Sequence, residues 1–107
     1  MESNAERVLE LVVFKLRAGA TGEDLLGTAG PVSDWIRAQP GFVSRELSYD
    51  ADGDRWIDVV WWRTLQDARA AAELAMTSEA CRPMFSLIDM ESTLMIHGVS
   101  AIAPVTA

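Results

Sequence analysis

Two carboxylates and one imidazole are the groups in this 107-residue chain whose setting suggests chemistry. Asp58 is the lone charge in the run Trp56–Trp62, WIDVVWW, which holds three of the four tryptophans. Glu10 stands in LELVVF, and His97, the only histidine, in STLMIHGV. Burial penalises the ionised form of a carboxyl, and a second acid nearby does so further. An acid so placed can take a proton from an acidic phenol or dione. The resulting carbanion gives electrons to dioxygen without any cofactor. An imidazole ordinarily titrates near pH 6.5 (about the midpoint of the useful range) and is the natural proton shuttle. Trp56 and Trp62 offer flat apolar surface for an aromatic ligand, and Trp35, Met84 and Phe85 are placed to close such a pocket. Each residue also has a plainer reading. Asp58 or Glu10 can face water or pair with Arg7, Arg45 or Arg63. His97 can be a hydrogen-bonded structural residue, the indoles ordinary core, and Cys81, near a helix start, a structural thiol.

These side chains need strands to hold them. Residues 7–17 read as a first strand, with Val8, Glu10, Val12, Phe14 and Leu16 on one face and Leu9, Leu11 and Val13 on the other. Thr21 with Asp24 predicts a helix cap. Leu25, Ala29, Val32 and Ile36 then recur at helical spacing, broadened by Leu26 and Trp35, with a kink or break expected at Gly30-Pro31. Pro40-Gly41 ends that helix. Residues 42–49 form a second strand, polar on both faces as suits an edge. The turn DADGD leads into the tryptophan strand, where Trp56, Asp58, Val60 and Trp62 share one face and Ile57, Val59 and Trp61 the other. Thr64 with Asp67 caps an alanine-rich helix, a short helix is expected over 78–87, and residues 92–99 form a fourth strand. The tail 100–107 is small and apolar.

The order β-α-β-β-α-β is the ferredoxin-like plan, an α+β fold with a four-stranded antiparallel sheet and its helices on one face. The crossovers are expected to set the first and third strands side by side and parallel in the sheet centre. Two helices cover only one face, yet LELVV and IDVVWW are apolar on both. An uncovered face would forfeit about 25 cal/mol per Å² of apolar surface. A second copy packed sheet against sheet is the expected cover, so a homodimer is predicted.

Composition bounds the rest. One domain spanning 1–107 is expected, burying roughly two-thirds of its unfolded surface. A net charge of −7 disfavours nucleic acid as partner. A single cysteine excludes an internal disulfide. MESNAERV lacks the pattern of a secretory leader, and no apolar run reaches the roughly 20 residues of a membrane span. A cytoplasmic protein without membrane association is the expectation.

From about Val8 to His97 the chain resembles the dimeric α/β-barrel superfamily that includes the antibiotic biosynthesis monooxygenases. The likeness rests on the element order, on Pro40-Gly41-Phe42 opening the second strand, and on Trp62-Arg63-Thr64 leading into the second helix. Its cofactor-free oxygenases pair an Asn with a Trp four residues later on the third strand. Trp62 matches that Trp, whereas Asp58 holds the Asn position, and an ionised Asp only accepts hydrogen bonds. The haem degraders use an Asn on the first strand and a His on the second helix, and neither stands here.

The resemblance and the residues together imply a monooxygenase-like protein working without cofactor on an aromatic or enolisable substrate. Asp58, His97 and Glu10 would handle protons, and Trp56, Trp62, Trp35, Met84 and Phe85 would bind substrate. The alternative is a non-catalytic dimeric barrel that binds a ligand or serves in stress. A solvent-reached cavity of about 300 Å³ or more touching a titratable group favours the first. A packed interior with Asp58 salt-bridged favours the second.

Overall fold

The computed structural model describes residues 7–107; residues 1–6, on which most of the leader expectation rests, lie outside the described residues. The elements are β1 (Val8–Leu16), α1 (Gly22–Arg37), β2 (Phe42–Asp50), β3 (Arg55–Trp62), α2 (Leu65–Ala75), α3 (Arg82–Phe85) and β4 (Ile88–Val99). They form one four-stranded sheet in the order β2-β3-β1-β4. The fold is ferredoxin-like. Among the described residues no helix is long and apolar enough to cross a membrane.

Every pairing in the sheet is antiparallel. β1 and β3 are central neighbours as expected, but they run in opposite directions. The crossover through α1 sets β2 parallel to β1, and the β2–β3 hairpin then reverses the chain. The register aligns Glu10 with Val60 and with His97, and Val12 with Asp58 and with Met95. Glu10, Asp58, Trp62 and His97 therefore share the helix-covered face.

Alternation explains the burial. On the inner face Val8, Glu10, Phe14, Asp58, Val60 and Trp62 are all buried. On the outer face Leu9, Leu11, Val13, Ile57, Val59 and Trp61 stay partly open, with Leu94 54% and Ile96 46% exposed.

α1 opens with a full capping box: the Thr21 hydroxyl accepts from the Asp24 amide, and the Asp24 carboxylate from the Thr21 amide. It runs through Pro31 without a break. Gly27, whose carbonyl loses its partner there, is exposed, so water can take the bond. Leu25, Val32 and Ile36 face the core, while Leu26 is 57% exposed and lies off the stripe. Thr64 caps α2 by accepting from the Asp67 amide. The helix expected over 78–87 is a single turn, since residues from Leu87 onward already lead into a longer β4. The chain after Val99 forms no helix or strand, and Ile102 and Val105 are exposed.

Beneath the helices the core is divided. One buried cluster joins Val8, Ile36, Val60, Trp62, Ala68 and Ala71; the other joins Phe14, Leu25, Val32, Cys81, Met84 and Ile88. Trp35 packs against both.

Candidate functional site

Between the two clusters lies a cavity of about 140 Å³. Its floor is the inner face of the sheet, with Glu10, Val12, Asp58, Val60 and Trp62. α1 contributes Val32, Trp35 and Ile36, and α2 contributes Ala71, Ala72 and Ala75. The alanines matter: a helix presenting only methyl groups leaves the space that larger side chains would fill. Met76, Met90 and Met95 also line the cavity and are 63%, 54% and 48% exposed, so the mouth opens between the end of α2 and β4.

Two polar constellations meet the cavity. In the first, Arg45 on β2 reaches inward across β3. Its Nε donates to Asp58 Oδ1 at 3.0 Å and its Nη2 to Asp58 Oδ2 at 2.7 Å. Nη1 donates to Ser33 Oγ at 3.0 Å, and Nη2 lies 3.7 Å from Met84 Sδ. Both side chains of the pair are nearly sealed, at 6% and 11% exposure. This is a bidentate, charge-compensated ion pair, and both carboxylate oxygens are held by one guanidinium.

In the second, Glu10 has no cationic arginine against it. Its Oε1 accepts from the Trp62 indole Nε1 at 3.0 Å, and its Oε2 lies 3.1 Å from His97 Nε2. An ionised carboxylate only accepts, which sets the imidazole proton on Nε2 and leaves Nδ1 for other work. The Glu10 side chain is 7% exposed and that of His97 16%.

The structure brings Asp58, Glu10, Trp62, Trp35, Met84 and Phe85 together around one space. His97 is not in the cavity wall and acts on it only through Glu10. Trp56 is not brought in. It lies against Tyr49, with ring centroids 4.8 Å apart, and over Gly22 at the start of α1. Of the three arginines considered as partners, Arg45 takes Asp58, and Arg7 stacks over Trp61 on the opposite face at 4.6 Å. Cys81 is buried in the cavity wall, and burial pushes its thiol up from the usual range, against a hydrogen bond from Ser78 and the charge of Arg45. It is a neutral wall residue. The sequence offers Arg45 only as one of three possible partners of an acid, and the structure makes it the partner of Asp58 and part of the cavity wall. It shares a face with Leu47, whose register partner is Asp58. A larger open recess of about 370 Å³, bordered by Val13, Lys15, Arg55, Ile57 and Leu94, lies on the uncovered side of the sheet.

No family model matches the sequence, and no curated protein matches it. Solved structures do. A monooxygenase of Streptomyces coelicolor, ActVA-Orf6, determined with the ligand nanaomycin D, is 24% identical over all of both chains with a TM-score of 0.67. SnoaB of Streptomyces nogalater, a cofactor-independent oxygenase, is 16% identical over 94% of this chain and 97% of its own, with a TM-score of 0.66. A hydroxynitrile lyase of Passiflora edulis matches with a TM-score of 0.67 at 11% identity, over 94% of this chain and 99% of its own. The chain thus has the ferredoxin-like fold of the antibiotic biosynthesis monooxygenase-like proteins. That fold also carries lyase chemistry, so the activity must be argued from the site.

Proposed function

We propose that the protein is a monooxygenase-like enzyme that works without cofactor on an aromatic or enolisable substrate bound in the inner cavity. One observation carries this: a carboxylate, Glu10, lines an apolar cavity of aromatic size and is held by the Trp62 indole and the His97 imidazole instead of an arginine. Glu10 takes the proton of the bound phenol or enol, while the His97 Nε2–H and the Trp62 indole N–H hold its carboxylate in place. Asp58 is kept in place by Arg45, and for it to act as base it would have to give up two charge-assisted bonds; its role is to keep the Arg45 guanidinium compensated in the cavity wall. Trp62, Trp35, Met84 and Phe85 form the apolar walls. The deprotonated ring passes an electron to dioxygen, and the radical pair combines at carbon as a peroxide. That peroxide takes the proton back from Glu10, gives up the hydrogen on the same carbon and loses water to leave a carbonyl. One oxygen atom enters the product and one leaves as water, so no external reductant is consumed.

The functional unit is a cytoplasmic homodimer of single-domain protomers, 1–107, joined through the outer face of the sheet. The proteins of similar fold that are described as oxygenases support the reading. A second reading, a non-catalytic ligand-binding or stress-related barrel, draws on two observations: the cavity is smaller than the 300 Å³ typical of drug-sized sites, and Asp58 is saturated by Arg45. Oxygen-electrode measurements with hydroquinones and cyclic diones separate the two. Substrate-dependent oxygen uptake should fall on the order of 100-fold in Glu10→Gln, the usual loss for a general base, with ligand binding retained. Uptake unchanged by Glu10→Gln rejects Glu10 as the base, and uptake absent with every substrate while the rings still bind rejects the enzyme.

A further inference from the structure

We infer that the inner cavity takes a single six-membered ring, phenolic or enolic and bearing no carboxylate, and that Ala72 and Met84 set this limit. The inference rests on the proposed function for its chemistry but on volume and charge for its content. A space of about 140 Å³ is close to the roughly 150 Å³ engineered cavity that admits benzene. Two fused rings do not fit it without displacing a wall. The walls are fixed by both buried clusters: Val60 and Trp62 belong to one, Phe14 and Met84 to the other. Packing at interior density resists the shift that a second ring would need.

Charge narrows the class further. Asp58 and Arg45 cancel, and Glu10, against the Trp62 indole and the His97 imidazole, is the other carboxylate at the cavity. A benzoate would place a second carboxylate beside it in an apolar space, with no arginine or lysine in the cavity wall uncommitted among the described residues. A neutral ring with a hydroxyl meets no such cost, and it can donate to Glu10. The half-exposed methionines at the mouth suit this ligand, since unbranched thioether side chains move aside and close again at little cost.

Isothermal titration calorimetry with 4-methylphenol, 1-naphthol and 4-hydroxybenzoate tests the assignment without reference to turnover. 4-Methylphenol should bind the native protein at least tenfold more tightly than either of the others. Ala72→Leu, which fills the space, should weaken 4-methylphenol at least tenfold. Met84→Ala, which enlarges it, should admit 1-naphthol and provides the test should Ala72→Leu not fold. Equal or tighter binding of 1-naphthol or 4-hydroxybenzoate by the native protein, or binding indifferent to both substitutions, overturns the inference. The two readings fail separately. Binding of 4-methylphenol with no oxygen uptake from any single-ring substrate rejects the oxygenase and leaves the ring limit standing. Oxygen uptake confined to fused-ring substrates rejects the limit and leaves the oxygenase.

Discussion

The same four strands present two faces that treat polarity in opposite ways. The inner face buries two carboxylates, a guanidinium and an imidazole, and gives each a partner. Across β1, β3 and β4 the outer face is mostly Leu, Val, Ile and Trp, none of it fully covered, and β2 adds Ser44, Glu46 and Ser48 at the edge. A sheet selected only for stability would not be arranged like this. Buried ion pairs are weakly stabilising or costly against apolar residues of the same shape, so the polar inner face points to a use other than folding. The outer face invites the opposite inference. Its apolar surface is costly in water, and a second copy removes that cost. Chemistry on one side and association on the other is the division the structure suggests.

The largest effect should come from breaking the inner pairing. Arg45→Ala leaves Asp58 in a sealed site without its counter-ion and should cost about 3–5 kcal/mol in urea unfolding. Replacing both partners, Arg45→Met with Asp58→Leu, should recover most of that loss. A double variant as unstable as the single one would mean that Arg45 matters through Ser33 and Met84 and not through the pair. Next is the outer face. Leu11→Asp puts a carboxylate in the centre of the proposed interface and should cost roughly 3 kcal/mol of dimer stability. Light scattering should then give a monomer's mass where the native protein gives twice that value. A native protein that is already monomeric would remove the contrast between the faces.

Much of this contrast was legible in the sequence. Period-two patterning in VLELVVF and WIDVVWW assigns each side chain to its face, and the cap pairs at Thr21 and Thr64 locate the helices. What escaped depends on contacts that pattern does not carry. The direction of β3 relative to β1 follows from the hairpin and not from either strand. In the sequence Arg45 is only one of three possible partners for the acids, because nothing local tells an inward arginine from an outward one; its burial comes from Asp58 across the hairpin and from Ser33 on α1. His97 and Glu10 are 87 residues apart and meet only through the β1–β4 pairing. Trp56 looked like pocket wall from its face alone, but it lies near the end of β3 where the start of α1 covers it. The cavity is least legible of all, since its size depends on how an alanine-lined helix sits over the sheet.

The smallest expected effect is the most discriminating, because it applies one substitution to adjacent residues on opposite faces. Trp62 is fully buried and gives its indole N–H to Glu10. Trp61 is half-exposed beneath Arg7. Trp62→Phe keeps an aromatic ring but leaves one oxygen of a buried carboxylate without its donor, which should cost about 1–3 kcal/mol. Trp61→Phe removes no buried hydrogen bond, and a surface change of this kind stays within about 0.5 kcal/mol. Both are compared by urea unfolding under conditions where the protein is monomeric, so that association does not enter the difference. Equal costs would show that Glu10 does not depend on the indole, and the constellation assigned to proton transfer would lose one of its two supports. A clear excess for Trp62 would show that the inner face holds its carboxylate through the indole N–H, a contact without a counter-charge, which the proposed chemistry requires.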